Sequence, residues 1–81
     1  RIFPNPFNEG FTIVFQLSSA TRISADLIDI RGKRVTRLFD RQMQEGMNRY
    51  ESGLLDLSPG LYFARFTTED GEQFYRPVVK Q

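Results

Sequence analysis

Phe11-Thr12-Ile13-Val14-Phe15-Gln16-Leu17 is the stretch that decides the fold. In an extended chain Phe11, Ile13, Phe15 and Leu17 point one way, and Thr12, Val14 and Gln16 point the other. That alternation marks a strand with one face in a core. Aromatic and β-branched residues fit such a pleated, half-buried surface.

The flanking sequence repeats the pattern. Ser18-Ser19-Ala20 reads as a connection, and residues 22–30 as a strand with Ile23, Ala25 and Leu27 inward. Asp29-Ile30-Arg31-Gly32-Lys33 reads as a tight turn, in which Gly32 is free to take φ > 0 and Asp29 bonds nearby backbone N–H groups. Residues 33–45 read two ways. Val35, Leu38, Phe39, Gln42 and Met43 lie at helical spacing, while a strand with a bulge accounts for the opposite strand parity of Val35 and Leu38. The surrounding β pattern favours the strand.

Residues 47–52 form a further strand with Tyr50 inward. A corner at 54–60 leads to an apolar run, 61–68, that reads as a central strand. Glu69-Asp70-Gly71-Glu72 is a hairpin turn whose Asp-Gly pair matches type I′. In the last strand, 73–80, Pro77 has no N–H to donate, which places the strand at a sheet edge or at a bulge. Upstream of Phe11, Pro4-Asn5-Pro6-Phe7-Asn8 is held extended before its prolines and turns at Asn8 and Gly10. About seven short strands with turn signals between them indicate an all-β, immunoglobulin-like sandwich of antiparallel strands, taken as one domain over residues 1–81.

Composition bounds the chemistry. The chain has 81 residues, eight Phe and three Tyr, but no Cys and no His. A small core must take most of the apolar side chains, leaving few for a deep pocket. Without His or Cys there is no Ser-His-Asp or Cys-His nucleophile, and nearly every zinc site is excluded. No nucleotide-binding glycine motif occurs. The carboxylates lack EF-hand spacing. Asp29, Asp56 and Asp70 are expected to shape turns and the rest, Asp26 included, to be solvated. The expectation is therefore no enzyme, no metal and no cofactor.

The net charge of +1 gives no long-range attraction to nucleic acid. The basic cluster Arg31, Lys33, Arg34, Arg37 and Arg41 reads as a solvated hairpin protecting a sheet edge. There is no apolar run of transmembrane length and no signal peptide. Since the chain starts at Arg1, it is expected to be part of a longer protein with any export signal upstream.

Tyr62, after Leu57-Ser58-Pro59-Gly60-Leu61, has the context of a tyrosine corner, whose hydroxyl bonds backbone a few residues upstream. Gly60 and Gly32 are assigned to fold geometry. Tyr50 is expected in the core, and Tyr75 half-exposed on its strand.

Five stretches occur in a distinctive order: Pro4-Asn5-Pro6-Phe7-Asn8, then residues 12–17, then Asp29-Ile30-Arg31-Gly32-Lys33-Arg34-Val35, then Leu57-Ser58-Pro59-Gly60-Leu61-Tyr62-Phe63, and last Arg76-Pro77-Val78-Val79-Lys80-Gln81. Together they resemble the C-terminal sorting domain, type A class, of cargo proteins of the bacterial type IX secretion system. Arg76 fills the basic place at the start of the final motif, with Pro77 after it. The pattern is also similar to the immunoglobulin-like domain of flagellar hook-capping proteins. The first resemblance implies a secreted or cell-surface destination, reached through periplasm and outer membrane. It implies a covalently attached N-terminal cargo, recognition by the outer-membrane translocon and its shuttle, and removal by a surface sortase. Arg76, Val78, Val79 and Lys80 are the expected recognition residues, on an edge strand open to strand addition and charge pairing. The alternatives are a passive structural or interaction sandwich, and a carbohydrate-binding accessory module using exposed aromatics. Oligomeric state is left open.

Overall fold

The computed structural model describes residues 1–81, which form seven strands and no helix. They are β1 (Ile2–Phe3), β2 (Thr12–Leu17), β3 (Thr21–Ile28), β4 (Arg34–Met43), β5 (Gly46–Glu51), β6 (Gly60–Thr68) and β7 (Gln73–Lys80). All the strand pairs are antiparallel, in a three-stranded sheet ordered β1-β2-β5 and a four-stranded sheet ordered β4-β3-β6-β7. The apolar run of residues 61–68 is the interior strand β6, as its composition predicts.

The alternation read in residues 11–17 sets one wall of the core. Phe11 and Ile13 are buried and Phe15 packs beside them, while Gln16 is exposed. Ile23, Ala25 and Leu27 of β3 form the opposite wall, joined by Phe39, Met43, Ala64 and Val78. Phe15 stacks on Phe39 across the sandwich with ring centroids 6.3 Å apart, and Tyr50 tilts against Phe39 at 4.8 Å. Among the largest fully buried side chains are Phe7, Ile13, Leu27 and Val78. Each contributes about 1.5–3 kcal/mol of apolar burial.

Of the ambiguous residues 33–45, Arg34–Met43 are strand, and the structure shows why their parity breaks. Along β3 the partners of Ala25 and Asp26 are Phe39 and Arg37, and those of Leu27 and Ile28 are Thr36 and Arg34. Leu38 and Val35 are thus the extra residues at two register shifts, and each reverses the side-chain alternation.

Both hairpins of the four-stranded sheet use one loop design. Gly32 N–H donates to Asp29 C=O at 3.0 Å, and Asp29 N–H to Lys33 C=O at 2.9 Å. Likewise Gly71 N–H donates to Thr68 C=O at 3.0 Å, and Thr68 N–H to Glu72 C=O at 2.9 Å. Gly32 and Gly71 take φ of 86° and 91°. The expected type I′ turn at 69–72 is corrected. Type I′ requires φ > 0 at both central residues, and no residue other than glycine has positive φ. The connection is instead a three-residue loop, Glu69-Asp70-Gly71, closed by the glycine. Asp29 Oδ1 accepts from the N–H groups of Arg31 and Lys33 at 2.9 and 3.0 Å, as its position predicts. Asp70 accepts from the Thr68 hydroxyl at 2.6 Å. Asp56 is a second correction: it is exposed, and its side chain makes no hydrogen bond. The nearby corner is held by Tyr62, whose hydroxyl donates to Ser58 C=O at 2.7 Å. This is the tyrosine corner expected of an immunoglobulin-like sandwich. Gly60, at its base, has φ of 149°.

Candidate functional site

Residues 73–80 form β7, the outer strand of the four-stranded sheet. Its register against β6 is unbroken from Gly60↔Lys80 to Thr67↔Gln73, so Pro77 sits at an edge and not at a bulge. In an antiparallel pair, alternate residues turn their backbone groups toward the neighbour. Pro77, opposite Phe63, occupies an outward-turned position where the ladder asks for no N–H.

The outward side of β7 is only partly open, which corrects the expectation of an edge free along its whole length. Pro4-Asn5-Pro6-Phe7-Asn8 lies against its C-terminal half. Asn5 Nδ2 donates to Pro77 C=O at 3.0 Å, and Val79 N–H donates to Asn5 Oδ1 at 2.9 Å. Phe7 N–H donates to Val79 C=O at 2.8 Å, Gln81 N–H donates to Phe7 C=O at 2.9 Å, and the Phe7 ring is fully buried beside Phe11. Asn5 thus mimics one residue of a neighbouring strand, and Phe7 anchors the mimic in the core. Pro4, Pro6 and Asn8 are exposed around this clasp. Toward the hairpin, Tyr75 C=O accepts only from the adjacent Arg76 guanidinium at 2.9 Å. The open stretch of the edge is Gln73–Tyr75.

The four expected recognition residues do not share one face. Val78 is fully buried in the core and closed to a partner of the folded domain. Arg76 and Lys80 have the same strand parity as Val78 but are not enclosed with it. Arg76 is exposed, and Lys80 is half-buried with Nζ 6.0 Å from the centre of the Phe7 ring. Val79 points to the outer face of the sheet, the face shared by Tyr75 and Pro77. Tyr75 is 46% exposed, and Tyr50 is half-buried with its hydroxyl on Leu38 C=O at 2.8 Å. Burial raises the Tyr50 pKa above its ordinary value, against a smaller opposing pull from Arg41.

The most buried polar group went unread in the sequence. Asp26, expected to be solvated, is 3% exposed on the outer face of β3. Its carboxylate accepts from Arg37 Nε at 3.0 Å and Arg65 Nη2 at 3.2 Å, with Arg34 Nη1 at 3.7 Å. The register explains the convergence, since Asp26 stands between Arg37 of β4 and Arg65 of β6. Burial pushes the carboxyl pKa up, but hydrogen bonds and charge from Arg37 and Arg65 outweigh it and hold the group below its ordinary value. Much of the basic cluster is thereby spent on structure. Arg34 and Arg37 serve Asp26, Arg37 also reaches Asp40 at 3.3 Å, and Arg41 lies over the Phe39 ring at 5.5 Å. No three His, Cys, Asp or Glu side chains stand together in a way that would hold a metal ion.

The sequence model of the secretion system C-terminal sorting domain family matches residues 1–80. The chain belongs to this family. No curated protein and no solved structure matches it significantly. The match to the sorting domain spans the clasp, both glycine loops, the tyrosine corner and the whole of β7. A sorting domain of type IX secretion is a targeting module and not a catalytic family. It acts for a cargo attached on its N-terminal side and directs that cargo to the cell surface or the medium. No helix of this sorting domain is long and apolar enough to cross a membrane.

Proposed function

We propose that the export machinery reads this sorting domain at the rim formed by β7. An outer-membrane translocon and its shuttle engage the open backbone at Gln73–Tyr75 together with the side chains of Arg76, Lys80 and Val79. The cargo then passes from the periplasm through the outer membrane. On the surface a sortase removes the domain and joins the cargo to anionic lipopolysaccharide. Residues 1–81 act throughout as one domain, a substrate of that chemistry.

The observation that carries this reading is the placement of β7. It is an outer strand, open over a short stretch, with an exposed guanidinium at Arg76 next to that opening. Open backbone supports strand addition, and fixed charges beside it supply register and partner choice. Deleting Arg76 to Gln81 is a poor test, because it also removes Val78 from the core.

The sharper test is Arg76→Glu with Lys80→Glu in a reporter fusion, in a host with an active type IX system. Export is expected to fall by about tenfold or more, the equivalent of ~1.4 kcal/mol of lost recognition. Thermal unfolding should be little changed. A control pair in the exposed β3–β4 loop, Arg31→Glu with Lys33→Glu, is expected to export normally. Normal export of the β7 variant would refute this assignment of the recognition rim.

A further inference from the structure

An open strand edge can accept a strand from another chain, and on β7 the open stretch is Gln73–Tyr75. Its backbone directions follow from the bonds on either side. Glu72 C=O accepts the Thr68 N–H at 2.9 Å on the β6 side, while Pro77 and Val79 meet the Asn5 clasp on the other. Gln73 and Tyr75 share the parity of Pro77 and Val79, so their N–H and C=O groups turn outward. No strand stands opposite them. The Tyr75 C=O is met by its own neighbour, the Arg76 guanidinium, at 2.9 Å.

This stretch is complementary to itself. Let a second copy of β7 lie antiparallel to the first, about a two-fold axis at Phe74. Gln73 then stands opposite Tyr75 of the second copy, and Tyr75 opposite its Gln73. Each such pair exchanges both backbone bonds, so every outward group of the stretch is used. Phe74 meets Phe74 in the close, non-hydrogen-bonded position. Glu72 stands opposite Arg76 at both ends. Both side chains are exposed, and neither joins an ion pair within the domain. Phe74 is 46% exposed although its parity matches that of the buried Val78. With Phe15, Leu17 and Phe66 it lines a groove of about 290 Å³, and a second ring beside it covers apolar surface.

The register is fixed from both sides. Sliding the copies by one step of the ladder sets Gln73 against Pro77, which has no N–H and whose C=O is held by Asn5. Sliding them the other way sets Tyr75 against Gly71, whose N–H is already bonded to Thr68 C=O. That same bond turns the chain back toward β6, so the loop of the second copy leads away from the clasp.

We propose that two copies of this domain pair through Gln73–Tyr75 of β7, joining their four-stranded sheets into one, with Glu72 and Arg76 ion-paired across the two-fold axis. Arg76 leaves its own Tyr75 C=O for Glu72 of the second copy, and that C=O takes the Gln73 N–H instead. The contact is short, so the pair is weak, with a Kd of about 0.1–1 mM. The pairing goes beyond the recognition reading and does not rest on it. It covers the backbone that recognition of β7 would use, so the two exclude each other.

The test is sedimentation equilibrium of the chain at concentrations up to about 2 mM, where a dimer of this affinity is well populated. Glu72→Arg sets two guanidiniums against each other at both ends, and Arg76→Glu sets two carboxylates. Each variant alone is expected to pair about tenfold more weakly or worse, with thermal unfolding little changed, since both positions are exposed. Mixed in equal amounts, the two variants complement each other and are expected to pair as tightly as the unaltered chain. An unaltered chain that stays monomeric over this range overturns the proposal. So does a single variant that pairs as well as the unaltered chain, or a mixture that pairs no better than its components. No readout involves export, so a failure of the recognition reading leaves a separate signature.

Discussion

Two opposing effects meet at Asp26. Removing a carboxylate from water is costly, and here the guanidiniums of Arg37 and Arg65 offset that cost with charged hydrogen bonds. The folded-state pKa lies below the ordinary value, so on acidification the unfolded chain takes up the proton first. The stabilisation is therefore full above the unfolded pKa of about 3.9 and is lost as pH falls through the lower folded value. Asp26→Asn is expected to cost about 2–3 kcal/mol at neutral pH, through lost charged hydrogen bonds and guanidiniums left without a counter-charge. Urea unfolding at pH 7 and at pH 2.5 (about 1.4 units below the ordinary carboxyl value) checks this. The gap between the two proteins should narrow in acid. A gap of the same size at both pH values would mean that packing, and not charge, holds this site.

Between β7 and Pro4-Asn5-Pro6-Phe7-Asn8, a single side chain does the work of a strand. Asn5→Ala removes the partners of both Pro77 C=O and Val79 N–H. It is expected to destabilise the domain by about 1–3 kcal/mol. Hydrogen exchange at Val79 should speed up while the amides of β3 stay protected. Unchanged exchange at Val79 would show that Phe7 alone holds the clasp. This contact marks the limit of what the sequence reveals. β2, β6 and β7 were legible because a period of two, or an apolar run between turn signals, is a local property. The corner at Tyr62 was legible because its partner, Ser58, is four residues away. Asn5 and Val79 are 74 residues apart, and nothing local in either predicts the other. Asp26 hid for the same reason, with partners 11 and 39 residues distant. Val35 and Leu38 gave a visible warning, a broken alternation, that was consistent with either helix or bulge. Of the expected recognition residues, Val78 was indistinguishable in sequence from Val79, since strand parity decides burial only once the register is known.

Across the whole molecule the side-chain chemistry described here goes into structure. The carboxylate in deepest burial is tied to arginines, the tyrosine at the corner to backbone, and the aromatic rings to a shared core. The first residues of the chain and the final strand lie side by side, since Arg1, Ile2, Phe74 and Arg76 line the same groove. The most direct measurement is the location of a reporter fused before Arg1 and expressed in matched hosts with and without a working type IX system. The reporter should reach the surface or medium only in the competent host, and only when residues 1–81 are attached. Equal export in both hosts, or retention of the folded fusion in the competent one, would contradict the account.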